Sequence, residues 1–533
     1  MNTEKRLDAV VVGAGFAGLY MLYRLRQLGF SARVFEAGKG VGGTWYWNRY
    51  PGARCDVQSM EYSYQFSEEL QQEWSWSERF STQPEILRYA NHVADRFDLR
   101  RDIQFETRVA SAHFDTERDS WLLETDGGDR IRASFCIMAT GCLSAQNTPE
   151  FPGLSDFRGD CFHTGSWPHQ EVDFRGKRVA VIGTGSSAIQ SIPVIAEQAA
   201  HLTVFQRTPN FSIPAHNGLL DTDYERAIKA DYAAFRLGNA QMPAGLHTKP
   251  NEDCAMSVSA DERQAVYEKR WEEGGLPFMA AFADMGLDSN ANETAAEFVR
   301  GKIREIVEDP KVAELLCPRN VLGCKRICVD SDYFATYNRD NVTLVDVSQD
   351  GIEAITEQGV RVAGREYPVD TLVLATGFDA MTGALDRIDI RGRDGLTLKD
   401  KWAEGPKTYL GLGVAGFPNL FTITGPGSPS VLSNMIPSIE QHVNWIADCL
   451  AALSAGGVAT IEANPEAEDA WVTHVNEVAS LTLYTGCNSW YLGANVPGKP
   501  RVFMPYIGFP PYVEKCNEVA ANGYEGFALR RSA

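Results

Sequence analysis

The sequence lacks the features on which membrane-spanning, secreted and nucleic-acid-binding proteins depend. No stretch approaches the roughly 18 apolar residues of a spanning helix, and the amino terminus carries no apolar signal region with a cleavage site. The 11 cysteines are too few for a disulfide scaffold and include neither a Cys-x-x-Cys pair nor a zinc-like quartet. No run of five or more basic residues offsets the formal charge of −20, which disfavours polyanions. We predict a cytoplasmic monomer with no metal site and no nucleic-acid or membrane partner.

A first nucleotide-binding pattern is present near the amino terminus. The apolar run 9–12 predicts a buried strand that enters G-x-G-x-x-G at 13–18, and leucines at helical spacing follow until Gly29. The next predicted strand, 32–35, ends in Glu36, whose carboxylate can bind a ribose diol. An ordinary glycine-rich turn is the alternative, but strand, helix and terminal acid together favour dinucleotide binding. The residues predicted to bind are Gly13, Gly15, Phe16, Ala17, Gly18 and Glu36.

A second pattern of the same kind begins at Lys177. The apolar strand 178–182 leads into a glycine motif and a helix marked by isoleucines at 189, 192 and 195. Its following strand ends in Arg207 and Thr208 instead of an acid, and a guanidinium suits the 2′-phosphate of NADPH. The alternative is that Arg207 is only a solvated charge. The motif residues predicted to bind are Gly183, Thr184, Gly185, Ser186 and Ser187.

Two dinucleotide sites on one chain predict electron transfer between FAD in the first and NADPH in the second. Apolar strands ending in Ala-Thr-Gly at 139–141 and 375–377 support this internal repeat. The interval from Gly13 to Ala139 is 126 residues and that from Gly183 to Ala375 is 192, so the second unit carries an insert. Capping-box spacing at 259–262 and apolar residues at 299, 303 and 306 predict that this insert is helical.

We therefore predict an α/β fold with two Rossmann-like dinucleotide-binding domains and a mainly helical insert. At roughly 100–200 residues per domain, the 533 residues are sufficient for three or four such units. The predicted FAD-binding domain comprises residues 1–144 and 379–533, the NADP-binding domain comprises 145–210 and 329–378, and the helical subdomain comprises 211–328.

Two longer motifs carry a family resemblance. Residues 157–168 read F-R-G-D-C-F-H-T-G-S-W-P, and residues 42–56 read G-G-T-W-Y-W-N-R-Y-P-G-A-R-C-D. These segments resemble two fingerprints of type I Baeyer–Villiger monooxygenases, and the resemblance extends nearly end to end. It is strongest to the phenylacetone and steroid monooxygenase branch, with cyclohexanone monooxygenase more distant. The first motif implies conformational roles between the domains, and not a chemical base, for Phe157, Gly159, His163, Trp167 and Pro168.

The resemblance also implies a reaction. NADPH would reduce FAD, O2 would form a C4a-peroxyflavin, and its anion would attack a ketone to give an ester or lactone. Stabilising that anion calls for a cation that is never deprotonated, and the resemblance points to Arg326, oriented by Asp56. From spacing alone, Lys325 and Arg326 would be a surface pair at the end of the insert.

Further site residues follow from the same resemblance. Lys325 would assist Arg207 and Thr208 at the 2′-phosphate, and Trp490 would lie near the nicotinamide. The loop containing Val431, Leu432 and Met435 would face the substrate in a roomy, apolar pocket. The remaining predicted contacts are Arg54, Asp56 and Gln190 for NADP, and Gly43, Thr44, Trp45, Trp47, Asp56, Tyr62, Val109 and Met435 for FAD.

Three alternatives stay open at this point. A flavin monooxygenase that oxygenates nitrogen or sulfur shares both nucleotide sites but usually differs at the position of Trp167 and Pro168. A flavin disulfide reductase needs a cysteine pair just after the first nucleotide unit, and Cys136 and Cys142 come too late. A non-catalytic NADPH sensor would keep the fold without the flavin.

Overall fold

Two β-sheets organise the computed structural model, which describes residues 5–531. The strands are, in chain order, β1 Lys5–Val12, β2 Ala32–Phe35, β3 Ile103–Gln104, β4 Val109–Asp115, β5 Ser120–Thr125, β6 Arg130–Met138, β7 Asp160–His163, β8 Arg178–Ile182, β9 His201–Gln206, β10 Ser212–Pro214, β11 Cys328–Asp330, β12 Val342–Asp346, β13 Ala354–Thr356, β14 Gly359–Val362, β15 Arg365–Pro368, β16 Thr371–Leu374, β17 Asp389–Arg391, β18 Leu420–Thr422, β19 Val458–Ala463 and β20 Phe527–Arg531.

The helices cover both sheets and form most of the segment between β10 and β11. They are α1 Phe16–Gln27, α2 Thr44–Trp47, α3 Glu68–Glu73, α4 Gln83–Arg96, α5 Ser186–Gln198, α6 Thr222–Ala230, α7 Tyr232–Ala240, α8 Ala260–Glu273, α9 Ser289–Ile306, α10 Pro310–Leu316, α11 Tyr333–Thr336, α12 Leu398–Lys401, α13 Met435–Ala455, α14 Pro465–Ser480 and α15 Phe509–Ala521.

The first sheet has the order β17-β4-β5-β6-β1-β2-β3, and β18 also pairs with β6. Strand β1 runs parallel to β2 and β6, as a β-α-β nucleotide unit requires, while β4, β5 and β6 form an antiparallel meander. Helix α1 buries Leu19, Leu22 and Leu25. The predicted helical leucine at position 28 instead follows the last helical residue and is 38% exposed, because the chain turns at Gly29 with φ +77°.

The second sheet is parallel throughout and has the order β12-β9-β8-β16-β7. Strand β8 lies between β9 and β16, and helix α5 follows it with Ile189, Ile192 and Ile195 fully buried. Strands β13, β14 and β15 form a separate antiparallel sheet. The predicted α/β fold with two dinucleotide-type sheets is confirmed.

The helices between β10 and β11 divide between two cores. Ile228, Tyr232 and Phe235, on α6 and α7, pack in the core of the first sheet. Helices α8, α9 and α10 share one core with α5 and the second sheet. The predicted capping box is confirmed, since Ser259 and Glu262 cap the start of α8 reciprocally. The helical segment therefore packs against one core with α6 and α7 and against the other with α8 to α10.

The chain crosses between the sheets twice, and the two crossings bond to each other. Asn147 donates its backbone N–H to Gly377 O at 2.9 Å, Asp379 donates to Ala145 O at 2.7 Å, and Met381 donates to Cys142 O at 2.7 Å. These bonds make a short two-stranded ribbon from residues 142–147 and 377–381.

No helix within residues 5–531 combines the length and the apolar character needed to cross a bilayer.

Candidate active site

The first glycine motif brings the backbone closer than any side chain would allow. Gly13 has φ +104°, and a Cβ there would lie 2.6 Å from Ala139 O; a Cβ on Gly18 would lie 1.8 Å from Gly13 O. Gly15 meets Gly43 in the same way, with 3.3 Å between a Cβ on Gly15 and the Gly43 Cα. Helix α1 begins here with no side chain capping its N-terminus. Its backbone donors thus remain available to a pyrophosphate, which fits FAD.

Glu36, at the end of β2, completes the cradle, the name used here for a glycine motif together with the start of the helix that follows it. One carboxylate oxygen accepts from the Ala14 N–H at 2.8 Å and the other from the Gly38 N–H at 2.7 Å, which fixes the group at the glycine loop. Glu36 is only 5% exposed, so a ribose would meet a charge with a fixed orientation.

Aromatic side chains from the 42–47 segment and its neighbours line the same end of the sheet. The Trp45 indole N–H donates to the Tyr62 hydroxyl at 3.1 Å, and the Phe16 and Tyr62 rings lie 5.9 Å apart. Trp47 is half-buried and Thr44 is exposed at the start of α2. Val109, predicted as a flavin neighbour, is buried with Val12 and Phe35 in the core of the first sheet.

We expect Gly18→Ala to yield protein that retains little FAD. The added Cβ would strike the Gly13 carbonyl, so the loop must shift at a cost of about 1–3 kcal/mol, which weakens binding roughly 10–100-fold. Flavin absorbance per mole of purified protein measures the loss. Gly301→Ala, inside α9 with open space around it, is the matched control and should keep full flavin content.

The second glycine motif repeats the geometry of the first. Gly183 has φ +114°, and a Cβ there would lie 2.4 Å from Ala375 O. Helix α5 starts at Ser186 with an uncapped N-terminus after Gly185. The Thr184 hydroxyl donates to Thr208 O at 2.8 Å, tying the motif to the strand end. Ser186 lies beside Cys328 and Ser187 beside Thr164. This second cradle fits NADP for the same physical reasons as the first fits FAD.

Two cations meet at the edge of the second cradle. Arg207 is exposed at the end of β9, and Lys325 lies near enough that its pKa is lowered, first by burial and then by the Arg207 charge. Within residues 5–531 neither side chain has a salt-bridge partner. A pair of facing cations without a carboxylate suits a phosphate dianion.

The Tyr-Pro-Gly segment at 50–52, part of the 42–56 motif, lies at the contact between the two sheets. Gly52 has φ +77°, and a Cβ there would lie 2.2 Å from Gln190 O on α5. The Gln190 side-chain amide accepts from the Tyr50 hydroxyl at 2.9 Å and donates to Arg54 O at 3.1 Å. The Arg54 guanidinium is paired with Glu78 at 2.9 Å. Gln190, predicted as an NADP ligand, therefore links the two halves of the molecule through Tyr50 and the Arg54 backbone, while the Arg54 guanidinium pairs within the first half.

Arg326 and Asp56 come together although 270 positions separate them. Arg326 Nε donates to Asp56 Oδ2 at 2.8 Å, and Nη1 donates to Val431 O at 2.6 Å. Burial alone would lower the pKa of Arg326, but the Asp56 carboxylate outweighs it and the pKa is raised. No acceptor for Nη2 occurs within the part of the chain that the structure describes. A permanent cation with a free donor is thus held rigidly at two other points.

Tyrosines surround this ion pair. Burial raises the pKa of Tyr484 and of Tyr491, while the nearby Arg326 charge opposes the rise, so both phenols stay neutral. The Trp490 ring lies 4.5 Å from that of Tyr491. Because Tyr491 lies within reach of the Arg326 charge, its ring neighbour Trp490 belongs to the same region.

The predicted substrate loop is built against the ion pair. Val431 is buried and its carbonyl receives Arg326, and Leu432 is half-buried beside it. Asn434 caps α13, which begins at Met435, and its side chain donates to Glu61 O at 2.9 Å. The loop is therefore tied both to the cation and to the segment that precedes Tyr62.

The 157–168 motif lies at the ribbon between the sheets. His163 Nε2 lies 3.1 Å from Thr376 Oγ1 and 3.2 Å from Asn147 O, and Nδ1 accepts from the Gly165 N–H. Burial lowers the pKa of His163. Trp167 packs against Phe162 and Phe174 in the second core, and a Cβ on Gly159 would lie 2.3 Å from Asp370 O. Phe157 packs under the second sheet and Pro168 is half-buried.

Known proteins match the chain over its whole length. The family described as pyridine nucleotide-disulphide oxidoreductase matches residues 10–237. A Baeyer-Villiger monooxygenase from Pseudooceanicola batsensis is 43% identical, covering 99% of this chain and 97% of its own. A phenazine N-monooxygenase from Lysobacter antibioticus is 42% identical, with 99% and 98% covered. The structure titled oxidized steroid monooxygenase bound to NADP has TM-score 0.95 and 55% identity, with 99% and 100% covered.

The chain belongs to the Baeyer–Villiger monooxygenases. The resemblance stated from the two motifs is confirmed, and so are the predicted cofactors, FAD and NADPH. Within residues 5–531 of the monooxygenase, Cys55, Cys136 and Cys142 are buried free thiols, so no disulfide pair lies beside the first nucleotide unit.

One covalent link in the monooxygenase escaped sequence reasoning. Cys324 and Cys487 form a disulfide across a separation of 163 residues. The cysteine spacing gave no signal for this pair. Only the position of Cys324, directly before Lys325 and Arg326, could have drawn attention to it.

Proposed function

We propose that Arg326 and Asp56 form the oxygenating centre, at which a small ketone is converted to an ester or lactone. The observation that carries this proposal is that Arg326 Nη2 has no acceptor among residues 5–531, while Nε and Nη1 are committed to Asp56 and Val431. Bound FAD, once reduced by NADPH, supplies the activated oxygen from O2. Arg326 then contributes a fixed positive charge where negative oxygen develops.

Asp56 orients the guanidinium in this proposal and keeps its charge. The ion pair is about one quarter exposed at each side chain, 24% for Arg326 and 26% for Asp56. It therefore faces a space that a substrate can reach. Val431, Leu432 and Met435 would form the apolar wall for the ketone, and the neutral aromatic rings of Trp45, Tyr62 and Tyr491 would exclude water from the reacting oxygen.

Arg207 and Lys325 select NADPH in the proposed mechanism. Their facing charges repel each other until a 2′-phosphate neutralises both, and Thr208 stands at the same strand end. Gly183, Gly185 and the start of α5 would hold the pyrophosphate, and Trp490 would lie at the nicotinamide end. The FAD site would combine the first glycine motif, Glu36 and the segment 43–47.

We also propose the predicted division into domains at 1–144 with 379–533, 145–210 with 329–378, and 211–328. It is supported by the membership of β17 and β18 in the first sheet and of β12 and β16 in the second. The cytoplasmic location and the monomeric state stay predictions.

A ketone panel tests the proposed reaction. Aliphatic, cyclic, aromatic and steroid ketones, incubated with NADPH and labelled O2, are expected to give esters or lactones with one labelled atom, detected by gas chromatography with mass spectrometry. Thioethers and amines serve as the comparison, because a relative is named a phenazine N-monooxygenase. Faster product formation from thioethers or amines than from every ketone would contradict the proposal.

A further inference from the structure

A long loop without regular strands carries two tyrosines, Tyr484 and Tyr491, that lie near the ion pair. Residues 481–506, here called the covering loop, join α14 to the segment before α15 and carry Trp490 and Tyr491. Loops of this length in compact proteins are commonly functional. Its carboxyl-terminal end is anchored to the loop that follows β18, because Gly427 N donates to Met504 O at 2.5 Å and Tyr506 N to Ser428 O at 2.7 Å.

The second half of the covering loop is attached to the ribbon between the sheets. Asn495 donates through its side chain to Phe378 O at 2.6 Å and accepts at its carbonyl from the Asn147 amide at 3.0 Å. Lys499 donates to Asp379 at 2.5 Å and to Ala380 O at 2.6 Å. These are polar contacts that water can replace.

The first half of the covering loop has a covalent attachment. Cys487 is bonded to Cys324, and one further contact, Leu483 N to Gly286 O at 2.8 Å, lies beside it. Cys324 immediately precedes Lys325 and stands two residues before Arg326, while Cys487 stands three residues before Trp490. The bond thus joins the segment that carries the two cations to the segment that carries the aromatic cover.

We propose that the Cys324–Cys487 disulfide is a reversible latch that holds the covering loop over bound NADP. This inference rests on the proposed function, because it takes Lys325 and Trp490 to be NADP contacts. A latched loop need not be ordered anew at each binding event, so the oxidised protein retains NADP⁺ longer than the reduced one. In a reducing compartment a single disulfide of this kind is more often a redox sensor than a structural bond.

The disulfide can be formed by an oxidant that is a by-product of the proposed oxygenation reaction. Hydrogen peroxide, released when reduced flavin meets O2 without passing oxygen to a substrate, would reach the half-buried Cys487 first. Its thiolate attacks one peroxide oxygen, the O–O bond breaks, and a sulfenic acid and water result. The Cys324 thiol then attacks the sulfenic sulfur, the S–S bond forms, and the sulfenic hydroxyl leaves as water. Two thiols and one peroxide give one disulfide and two waters, and a small dithiol reverses the step.

The latch is tested with the intact flavoprotein, as isolated and after treatment with hydrogen peroxide or dithiothreitol. Peptide mapping without reduction should find the 324–487 cross-link after peroxide and lose it after dithiothreitol. Rapid-mixing displacement of NADP⁺ should show release about tenfold faster in the dithiothreitol-treated wild type and in Cys487→Ser. Cys254→Ser, which removes an exposed free thiol from the same helical segment, should match the wild type.

Two results would overturn the latch. One is a peptide map in which Cys324 and Cys487 remain free after peroxide treatment. The other is an unchanged NADP⁺ release rate in both dithiothreitol-treated wild type and Cys487→Ser. Failure of the proposed function is distinguishable, because absence of ester from every ketone would leave the map and the release rates measurable. Dithiothreitol must have no effect on release from Cys487→Ser, since its latch is already absent.

Discussion

Replacement of Arg326 by alanine should abolish ester formation while NADPH still bleaches the flavin. The variant keeps both glycine motifs but loses a fixed cation with a free donor at the proposed oxygenating centre. Removing a preorganised donor of this kind typically costs about 3–4 kcal/mol, or roughly 10²–10³ in rate. NADPH consumption without ester, accompanied by hydrogen peroxide, is the expected pattern in an oxygen-electrode assay with product analysis.

Conservative variants separate charge from geometry at this centre. Arg326→Lys keeps the charge, but a single ammonium cannot reproduce the fork that reaches Asp56 and Val431, so we expect an intermediate loss. Arg319→Ala, an exposed arginine on the same helical segment that pairs with Glu314, is the control and should retain full activity. A normal ester yield from Arg326→Ala would remove Arg326 from the proposed mechanism.

Arg207→Ala should raise the KM for NADPH roughly 10–100-fold and leave that for NADH nearly unchanged. A hydrogen bond to a charged group contributes about 1.5–3 kcal/mol to binding. NADH lacks the 2′-phosphate and therefore does not make the hydrogen bond that the substitution removes. Steady-state kinetics with both nucleotides measure the ratio. Arg339→Ala, an exposed arginine that precedes the neighbouring parallel strand β12 and so lies at the opposite end of the strands, is the control. Equal changes for both nucleotides would contradict the 2′-phosphate assignment.

The same site should respond to alkaline pH. Burial and the neighbouring Arg207 lower the pKa of Lys325, so the lysine loses its proton below the usual range for its type. Since the protonated form attracts the phosphate, the KM for NADPH should rise as pH increases through that lowered pKa. Lys325→Arg stays charged, so its KM for NADPH should change little over this pH range. The KM for NADH should not show the same pH dependence in the wild type.

The nucleotide-binding units could be predicted from sequence because their signals are local. Gly13 and Gly183 each follow an apolar strand directly, and each approaches an Ala-Thr-Gly strand end, at 2.6 Å and 2.4 Å for an added Cβ. Glycine is required where the backbone must come this close. The motif residues, the helix that follows and the strand after it all lie within a few tens of positions.

The oxygenating centre could not be derived in that way, since its parts are distant in sequence. Arg326 and Asp56 meet across 270 positions, and from spacing alone the arginine would have been placed on the surface. The contact of Gln190 with Tyr50 and the Arg54 backbone is also formed across a separation of more than 130 positions, which no local pattern indicates. Likewise, no periodicity indicated that α6 and α7 would join one core and α8 to α10 another.

The paired crossings between the sheets restrict how one half of the enzyme can turn against the other. A single connecting segment would let one half rotate about all three axes relative to the other. The two connecting segments are hydrogen-bonded side by side and form a flat ribbon, and His163 contacts both of them. Such a ribbon bends readily perpendicular to its plane and resists twisting. At this connection we therefore expect a hinge-like turn of the second sheet against the first in preference to a twist, which would carry a bound nicotinamide along an arc past the flavin.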